Sequence, residues 1–152
     1  MDGSTHRVLL VETRSADAEL VKEALRQSAV SCDVTHVTRL ADALEQSVAG
    51  QFDVVILNLF LSDSEGLDTY VAMRSHVPTI PLILLATDTI GEDLAIDAAR
   101  RGAQDYLRLA EISSAVLSKS LRYAIERKRH ESELRNQKEF YENILMEANV
   151  WV

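Results

Sequence analysis

Three short runs of aliphatic residues, with no polar residues alternating between them, constrain the fold of this chain more than any other feature. They are residues 8–11, 54–57 and 82–85, and weaker apolar runs follow at 32–37 and 106–107. Continuous runs of Val, Ile and Leu are typical of strands covered on both faces, as in a parallel sheet between helices. The weaker runs are expected at the edges of that sheet.

Segments with apolar residues at helical spacing lie between and after these runs and can pack on the sheet. Their apolar stripes are Leu20, Val21, Ala24 and Leu25; Leu40, Ala43, Leu44 and Val48; Leu67, Tyr70 and Val71; Leu94, Ala95, Ala98 and Ala99; and Val116, Leu117, Leu121, Ala124 and Ile125. Ser15 and Ser113 are predicted N-caps, and Gly50 and Gly102 stand where helices commonly end in a left-handed residue. Five strand and helix pairs predict a doubly wound α/β domain, whose functional crevice lies at the carboxyl ends of the strands.

The fifth helix is expected to continue well beyond this domain. From Glu126 onward the sequence has neither Gly nor Pro and is rich in helix-forming residues. We therefore divide the chain into a domain over 1–126 and a helical continuation over 127–152. Two positions that repeat every seven residues predict a weak coiled-coil seam for a homodimer, with a solvated single helix as the alternative. The seam residues are Leu134, Gln137, Tyr141, Ile144, Ala148 and Trp151.

Composition and charge argue against several classes of function. The 24 Asp and Glu outnumber the 16 Lys and Arg, and the resulting net charge of -8 disfavours nucleic acid as a partner. Cys32 is the only cysteine, and the four histidines show no metal-ligand spacing. No apolar stretch approaches the roughly 18 residues that a membrane span requires. We expect a cytoplasmic protein without a bound metal or cofactor.

Four strings resemble the response regulator receiver domain family, in the family's order and at its separations. They are Arg-Val-Leu-Leu-Val-Glu (7–12), the segment 52–67 around Asn58, Pro-Leu-Ile-Leu-Leu-Ala (81–86) and Gly-Ala-Gln-Asp-Tyr-Leu (102–107). The resemblance covers residues 7–126. It implies a flavodoxin-like, five-stranded parallel sheet of order 2-1-3-4-5 with an extended C-terminal helix. It also implies a histidine kinase or another signalling protein as the partner.

Receivers of this kind accept a phosphoryl group on an aspartate at the end of the third strand, beside Mg²⁺ held by an acidic pair. A hydroxyl after the fourth strand and a lysine after the fifth contact the phosphate. At the matching positions this sequence has Asn58, Thr13 with Arg14, Ala86 and Leu109. Because an amide cannot form an acyl phosphate and an arginine repels a cation, we predict that the phosphorylation pocket is lost.

Two carboxylates, Glu12 and Asp63, remain near this degenerate pocket. They form either a remnant cation site or salt bridges and hydrogen bonds with Arg14. We favour the second interpretation, because a divalent cation is poorly held beside a fixed positive charge. Arg14 itself is either an internal cation that fixes the pocket in one state or a surface side chain that reaches solvent.

The usual partner face of receivers lies on the fourth helix, the fifth strand and the fifth helix. In this sequence that face would include Arg100, Arg101, Tyr106 and Lys119. Since Ala86 offers no hydroxyl partner, Tyr106 is expected to be a fixed and partly buried ring.

The C-terminal part of the chain carries a second, shorter resemblance. Residues 122–129 resemble the helical linkers that join receivers to PAS, histidine kinase or cyclase modules. Residues 139–152 resemble the lead-in to a PAS domain. A longer protein is therefore expected, with the helix as the transmission element.

These observations together predict a pseudo-receiver. It would be a protein-interaction module of a two-component, phosphorelay-type system that is not an enzyme, works without phosphotransfer and passes its state through the C-terminal helix. One alternative is a degenerate receiver phosphorylated at another carboxylate, such as Asp63 or Asp88. The other is a doubly wound domain that binds a small ligand, although both G-x-G-x-x-G and G-x-x-x-x-G-K-[ST] are absent.

Overall fold

A computed structural model describes residues 5–149, which form an α/β domain and a projecting helix. The strands are β1 His6–Val11, β2 Cys32–Val37, β3 Val54–Asn58, β4 Leu82–Ala86 and β5 Asp105–Arg108. The helices are α1 Ser15–Arg26, α2 Leu40–Ala49, α3 Leu67–His76, α4 Thr89–Arg100 and α5 Ser114–Asn149, and a 3-10 turn spans Leu109–Glu111. All neighbouring strands are parallel, in the order β2-β1-β3-β4-β5. The predicted fold is confirmed.

The sheet separates two apolar clusters, and alternate residues of its strands contribute to each. Leu9, Val55 and Leu84 face the cluster covered by α2, α3 and α4. Val8 and Ile56 face the cluster covered by α1 and α5. Every residue of β3 and β4 is buried, whereas β2 and β5, at the two edges, are only partly buried. The contrast between continuous and weaker apolar runs therefore predicted the strand positions correctly.

The apolar stripes were predicted too wide. Their flanking members are substantially exposed: Leu20, Val48, Val71 and Val116. The sheet covers only one arc of each helix surface, so an apolar residue at the margin of a stripe stays in solvent. The central members of these stripes, such as Val21, Ala43 and Ala95, are fully buried.

Two of the four predicted helix-terminal residues behave as expected. Ser113 accepts a hydrogen bond from the Val116 N–H at 3.1 Å and caps α5, and Gly102 adopts a positive φ of 118° after α4. The prediction for Ser15 is wrong, because α1 begins at that residue and Arg14 is the N-cap. Gly50 has an ordinary φ of -107°, so the left-handed assignment is also wrong. A Cβ at this position would lie 2.9 Å from the Phe52 ring, so any larger residue would force the buried ring to shift.

Helix α5 is continuous over 36 residues, as predicted. Its first turns pack on the sheet through Leu117, Leu121 and Ala124, which are fully buried. Beyond Glu126 the helix extends for about 35 Å at 1.5 Å per residue. The division at 126/127 falls inside this helix and stays a prediction. Within residues 5–149, no helix combines the length and the apolar character needed to cross a bilayer.

Candidate functional site

Parallel pairing brings the ends of the central strands to one edge of the sheet, where a crevice is expected. Glu12 directly follows β1, Asn58 ends β3 and Ala86 ends β4. Leu109 begins the 3-10 turn after β5, and it packs against the α1 and α5 cluster. Four of the predicted pocket positions therefore stand at the carboxyl edge of the sheet, and only Glu12 among them carries an ionisable side chain.

Asn58 is a buried amide that is held by its own loop. Asn58 is only 3% exposed, and its side-chain Oδ1 accepts a hydrogen bond from the Phe60 N–H at 2.9 Å. An amide oxygen is a neutral acceptor and not a nucleophile at physiological pH. The residue that stands where receivers carry the acceptor aspartate thus stabilises the turn after β3.

Glu12 is the most unusual ionisable residue in the described part of the chain. It is only 1% exposed, and within residues 5–149 neither carboxylate oxygen has a hydrogen-bond partner. Burial raises the pKa of Glu12 above its ordinary value. The Asn58 amide and the Arg14 backbone N–H lie close enough to lower the pKa of Glu12 in part. Neither group forms a hydrogen bond of acceptable geometry with the carboxylate. The sequence places Glu12 in the degenerate pocket, but its burial without a hydrogen-bond partner was not predicted.

The predicted pairing of Arg14 with the two carboxylates is wrong. The Arg14 side chain is exposed at the start of α1, and neither Glu12 nor Asp63 forms an ion pair with it in the described structure. Asp63 instead accepts hydrogen bonds from the backbone N–H groups of Leu40 at 2.7 Å and Ala41 at 3.0 Å. Desolvation alone would raise the pKa of Asp63, but these two donors outweigh it and lower the pKa.

Thr13 joins three loops at the edge of the crevice. Its hydroxyl donates to the Thr38 carbonyl oxygen at 2.6 Å and accepts from the Ser62 N–H at 3.0 Å. These bonds connect the segment after β1 with the segments after β2 and β3. The sequence predicts Thr13 and Arg14 at the positions of the lost acidic pair, and in the structure they have different roles. Thr13 bridges loops, whereas Arg14 is the exposed N-cap residue of α1.

The residues of the crevice do not fit the Mg²⁺ ion that the family implies. Such a hard cation prefers several oxygen ligands, with carboxylates among them. Of the two predicted pocket carboxylates, only Glu12 has oxygens without a hydrogen-bond partner in the described structure, because both oxygens of Asp63 are occupied at the N-terminus of α2. Asp88 and Glu92, which line the cavity beside Ala86, are bonded to Gly91 and Arg108. Within residues 5–149, no group of three or more His, Cys, Asp or Glu side chains could hold a metal ion.

Arg108, at the end of β5, makes a second polar junction that the sequence analysis missed. Its guanidinium donates from Nε to Glu92 of α4 at 2.9 Å and from Nη1 to Glu111 of the 3-10 turn at 3.2 Å. The half-buried Tyr106 donates its hydroxyl to the same Glu92 oxygen at 3.4 Å. The bond from Arg108 lowers the pKa of Glu92. We call these four residues the Arg108 junction.

The four residues of the predicted partner face lie on three elements. Arg100 and Arg101 are exposed at the C-terminal end of α4, and Tyr106 lies on the neighbouring β5. Lys119 lines a groove between α1 and α5 together with Gln27. A partner face shared by these residues stays a prediction.

Comparisons with known proteins agree with this fold. The family model for the response regulator receiver domain matches residues 8–117. The chain is 32% identical over 101 residues to the alginate biosynthesis transcriptional regulatory protein AlgB of Pseudomonas syringae, covering 66% of this chain and 22% of that protein. It is also 32% identical over 122 residues to the swarming motility regulation protein RssB of Serratia marcescens, covering 77% of this chain and 54% of that protein.

Solved structures show the same architecture. A response regulator receiver domain protein from Clostridium thermocellum has a TM-score of 0.71 at 24% identity, covering 82% of this chain and 97% of that one. NtrX from Brucella abortus has a TM-score of 0.75 at 19% identity, covering 88% of this chain and 30% of that one. The chain spans about a fifth to a half of the curated relatives it matches. With the family model covering most of its length, the chain belongs to the response regulator receiver domain family.

Proposed function

We propose that this receiver domain works without phosphorylation, as a cytoplasmic protein-interaction module of a two-component system. The observation that carries the proposal is Asn58, a buried amide at the end of β3 whose oxygen is already bonded to its own loop. Phosphotransfer requires a carboxylate nucleophile at this point and a cation to neutralise the phosphoryl oxygens. The nucleophile is missing, and of the two predicted pocket carboxylates only Glu12 has unoccupied oxygens that could hold the cation.

Internal hydrogen bonds support the proposal, because they occupy the loops that a phosphoryl group would otherwise organise. Thr13 bridges the loops after β1, β2 and β3. The Arg108 junction connects β5 to α4, next to Ala86, which has no hydroxyl. These bonds set the shape of the crevice from within the chain, so that a phosphoryl group has no remaining structural role.

The alternative phosphorylation sites are less favourable for the same reason. Asp63 binds the N-terminus of α2 through both carboxylate oxygens. Asp88 caps α4 by accepting a hydrogen bond from the Gly91 N–H at 2.7 Å. A phosphoryl group on either residue would remove a helix cap.

The crevice is also small for the alternative of a bound small ligand. The cavity beside Ala86 measures about 210 Å³, below the roughly 300 to 1,000 Å³ of typical small-ligand sites.

The expected partner is a histidine kinase or another signalling protein, and the output element is α5. Leu109 and Ile112, which follow the Arg108 junction, pack in the same apolar cluster as Leu117 and Leu121 of α5. A partner that displaces α4 or β5 therefore acts directly on the packing of this helix. A further module after residue 152 would receive the movement.

Incubation with acetyl phosphate and Mg²⁺, followed by intact-mass measurement, tests the proposal. The native chain is expected to stay at its unmodified mass, without the gain of about 80 Da that one phosphoryl group gives. Asn58→Asp is also expected to stay unmodified, because it restores the nucleophile but not the second metal ligand, the hydroxyl or the lysine. A receiver with an intact acidic pair serves as the positive control. A phosphorylated native chain, or a phosphorylated Asn58→Asp variant, would overturn the claim that the whole pocket is lost.

A further inference from the structure

Among the side chains described up to residue 144, the helix beyond the domain exposes four large apolar ones. Leu134 is 65% exposed, Phe140 62%, Tyr141 64% and Ile144 44%. Three of them lie at positions that a heptad places on one face of the helix, with Gln137 between them. Ala148 falls within the helix at the next seam position, and Trp151 lies outside the described residues. A single helix in water gains nothing from an apolar face, and short helices depend on packing for most of their stability.

We infer that this face pairs with a second copy of the same chain, as a parallel and in-register two-stranded coiled coil that starts at Leu134. The inference goes beyond the proposed function, since the pairing does not depend on whether Asn58 or any other residue accepts phosphate. Paired helices would bury Leu134, Tyr141 and Ile144 against their equivalents in the second copy.

The charges beside the seam select the second copy and its direction. In a parallel pair, the residue before one seam layer faces the residue five positions later on the other helix. That rule places Glu133 of each copy opposite Lys138 of the other, which gives two attractive contacts. Both side chains are exposed, and the only ion pair of Lys138 in the described structure is a long one of 3.9 Å with Glu142 of its own helix, which a contact with Glu133 would replace. An antiparallel pair that aligns the same apolar layers instead brings Lys138 against Lys138 of the second copy, which is repulsive.

The residues before Leu134 explain why the pairing starts there. Arg127 and His130 occupy the two preceding seam positions. Arg127 is bonded to Glu131 within its own helix at 3.2 Å, so its charge is directed away from a partner. Two copies of Arg127 at a shared core position would repel each other. The helices therefore separate toward their domains, and this leaves room for two receiver domains side by side.

Gln137 gives the pair its register. A single polar residue inside an apolar seam pairs with its equivalent on the other helix and specifies alignment at some expense of stability. In the in-register parallel arrangement, two Gln137 amides meet at one layer. A shift by one heptad would separate the two amides, placing one against Ile144, where it lacks a hydrogen-bond partner, and the other against His130.

Sedimentation equilibrium of the full chain tests the pairing. We expect a concentration-dependent dimer, and we expect the double substitution Leu134→Asp with Ile144→Asp to raise its dissociation constant at least roughly tenfold. The matched control is Asn136→Asp with Asn143→Asp, which adds the same two charges off the seam and should leave dimerisation nearly unchanged. Circular dichroism establishes that all variants are folded. A monomer at every concentration, or a dimer that the seam substitutions leave intact, would overturn the inference.

Cross-linking and charge exchange test the direction. In a Cys32→Ser background, which removes the only native cysteine, Gln137→Cys should form a disulfide-linked dimer on mild oxidation, whereas Asn136→Cys should not. Glu133→Lys should weaken the dimer, and adding Lys138→Glu should restore it. Absence of the Gln137 cross-link in a chain that dimerises, or failure of the second exchange to restore binding, would refute a parallel pair.

Discussion

Replacing Glu12 with glutamine is expected to stabilise the protein, and to do so more strongly as the pH rises. Glu12 is 1% exposed and both of its carboxylate oxygens lack a hydrogen-bond partner in the described structure. Ionisation would therefore leave a buried charge that the nearby Asn58 amide and Arg14 backbone N–H compensate only in part. Glutamine has nearly the same shape and cannot ionise, so the substitution removes this charge without opening a cavity.

The sign of the pH dependence follows from the raised pKa of Glu12, whose ordinary value is 4.5. A carboxyl group whose pKa is raised by folding stabilises the folded state fully at pH values below that ordinary value. This contribution is lost as the pH rises through the folded-state pKa. The glutamine variant does not titrate here. Its advantage over the native chain is therefore smallest near pH 4 and largest near pH 8.

An unsatisfied buried polar group costs about 1 to 3 kcal/mol. Part of that cost remains with glutamine, because its amide also lacks a partner. We expect Glu12→Gln to raise the free energy of unfolding by about 1 to 2 kcal/mol at pH 8. For a protein of this size, this corresponds to an increase in Tm of about 2 to 8 °C.

Urea denaturation followed by circular dichroism at pH 5 and pH 8 measures this difference. The matched control is Glu45→Gln, which changes an exposed glutamate of α2 in the same way. Only the Glu12 variant should gain stability between the two pH values. A gain that is equal at both, or a loss of stability at pH 8, would show that the Glu12 carboxylate is compensated in the folded protein.

Three further substitutions test the contacts around the crevice. Thr13→Val removes two hydrogen bonds between loops and should lower the free energy of unfolding by about 1 to 2 kcal/mol in urea titration. Thr13→Ser keeps the hydroxyl and should retain most of the native stability. Asp63→Ala removes the cap of α2 and should lower the free energy of unfolding by about 0.5 to 1 kcal/mol at pH 7. Because folding lowers the pKa of Asp63, this deficit should disappear as the pH falls below 4 in thermal denaturation. Arg108→Gln should accelerate amide hydrogen exchange in the first turn of α4, while Arg100→Gln should not.

The strands and helices could be predicted from the sequence because their signals are local. A buried parallel strand needs an unbroken apolar run, and 54–57 and 82–85 supply one without reference to the rest of the chain. The edge strand β5 gave a weaker signal because one of its two sides lacks a neighbouring strand. Its position at an edge follows from the short apolar run 106–107, and the resemblance of the string 102–107 to the family supports it.

The contacts of the crevice could not be predicted in the same way, because they join residues far apart in the chain. Asp63 caps a helix that begins 23 residues earlier, and Thr13 bonds a residue 49 positions away. A carboxylate in a loop has no sequence signal for the helix it will face. We assigned Asp63 to Arg14 on charge alone, although two free backbone N–H groups at the start of α2 bind it instead.

If the domain works without phosphotransfer, as we propose, the Arg108 junction and α5 give it a way to respond to a partner. The guanidinium of Arg108 is about half exposed, and ion pairs at such positions are weak and screened by salt. A partner with its own carboxylate at this surface can therefore replace Glu92 or Glu111. Replacement of Glu111 would release the turn that leads through Ile112 into α5. If α5 pairs with a second copy, a change at one crevice also changes how the two α5 helices pack against each other. The pair then has two arrangements, which a switch requires.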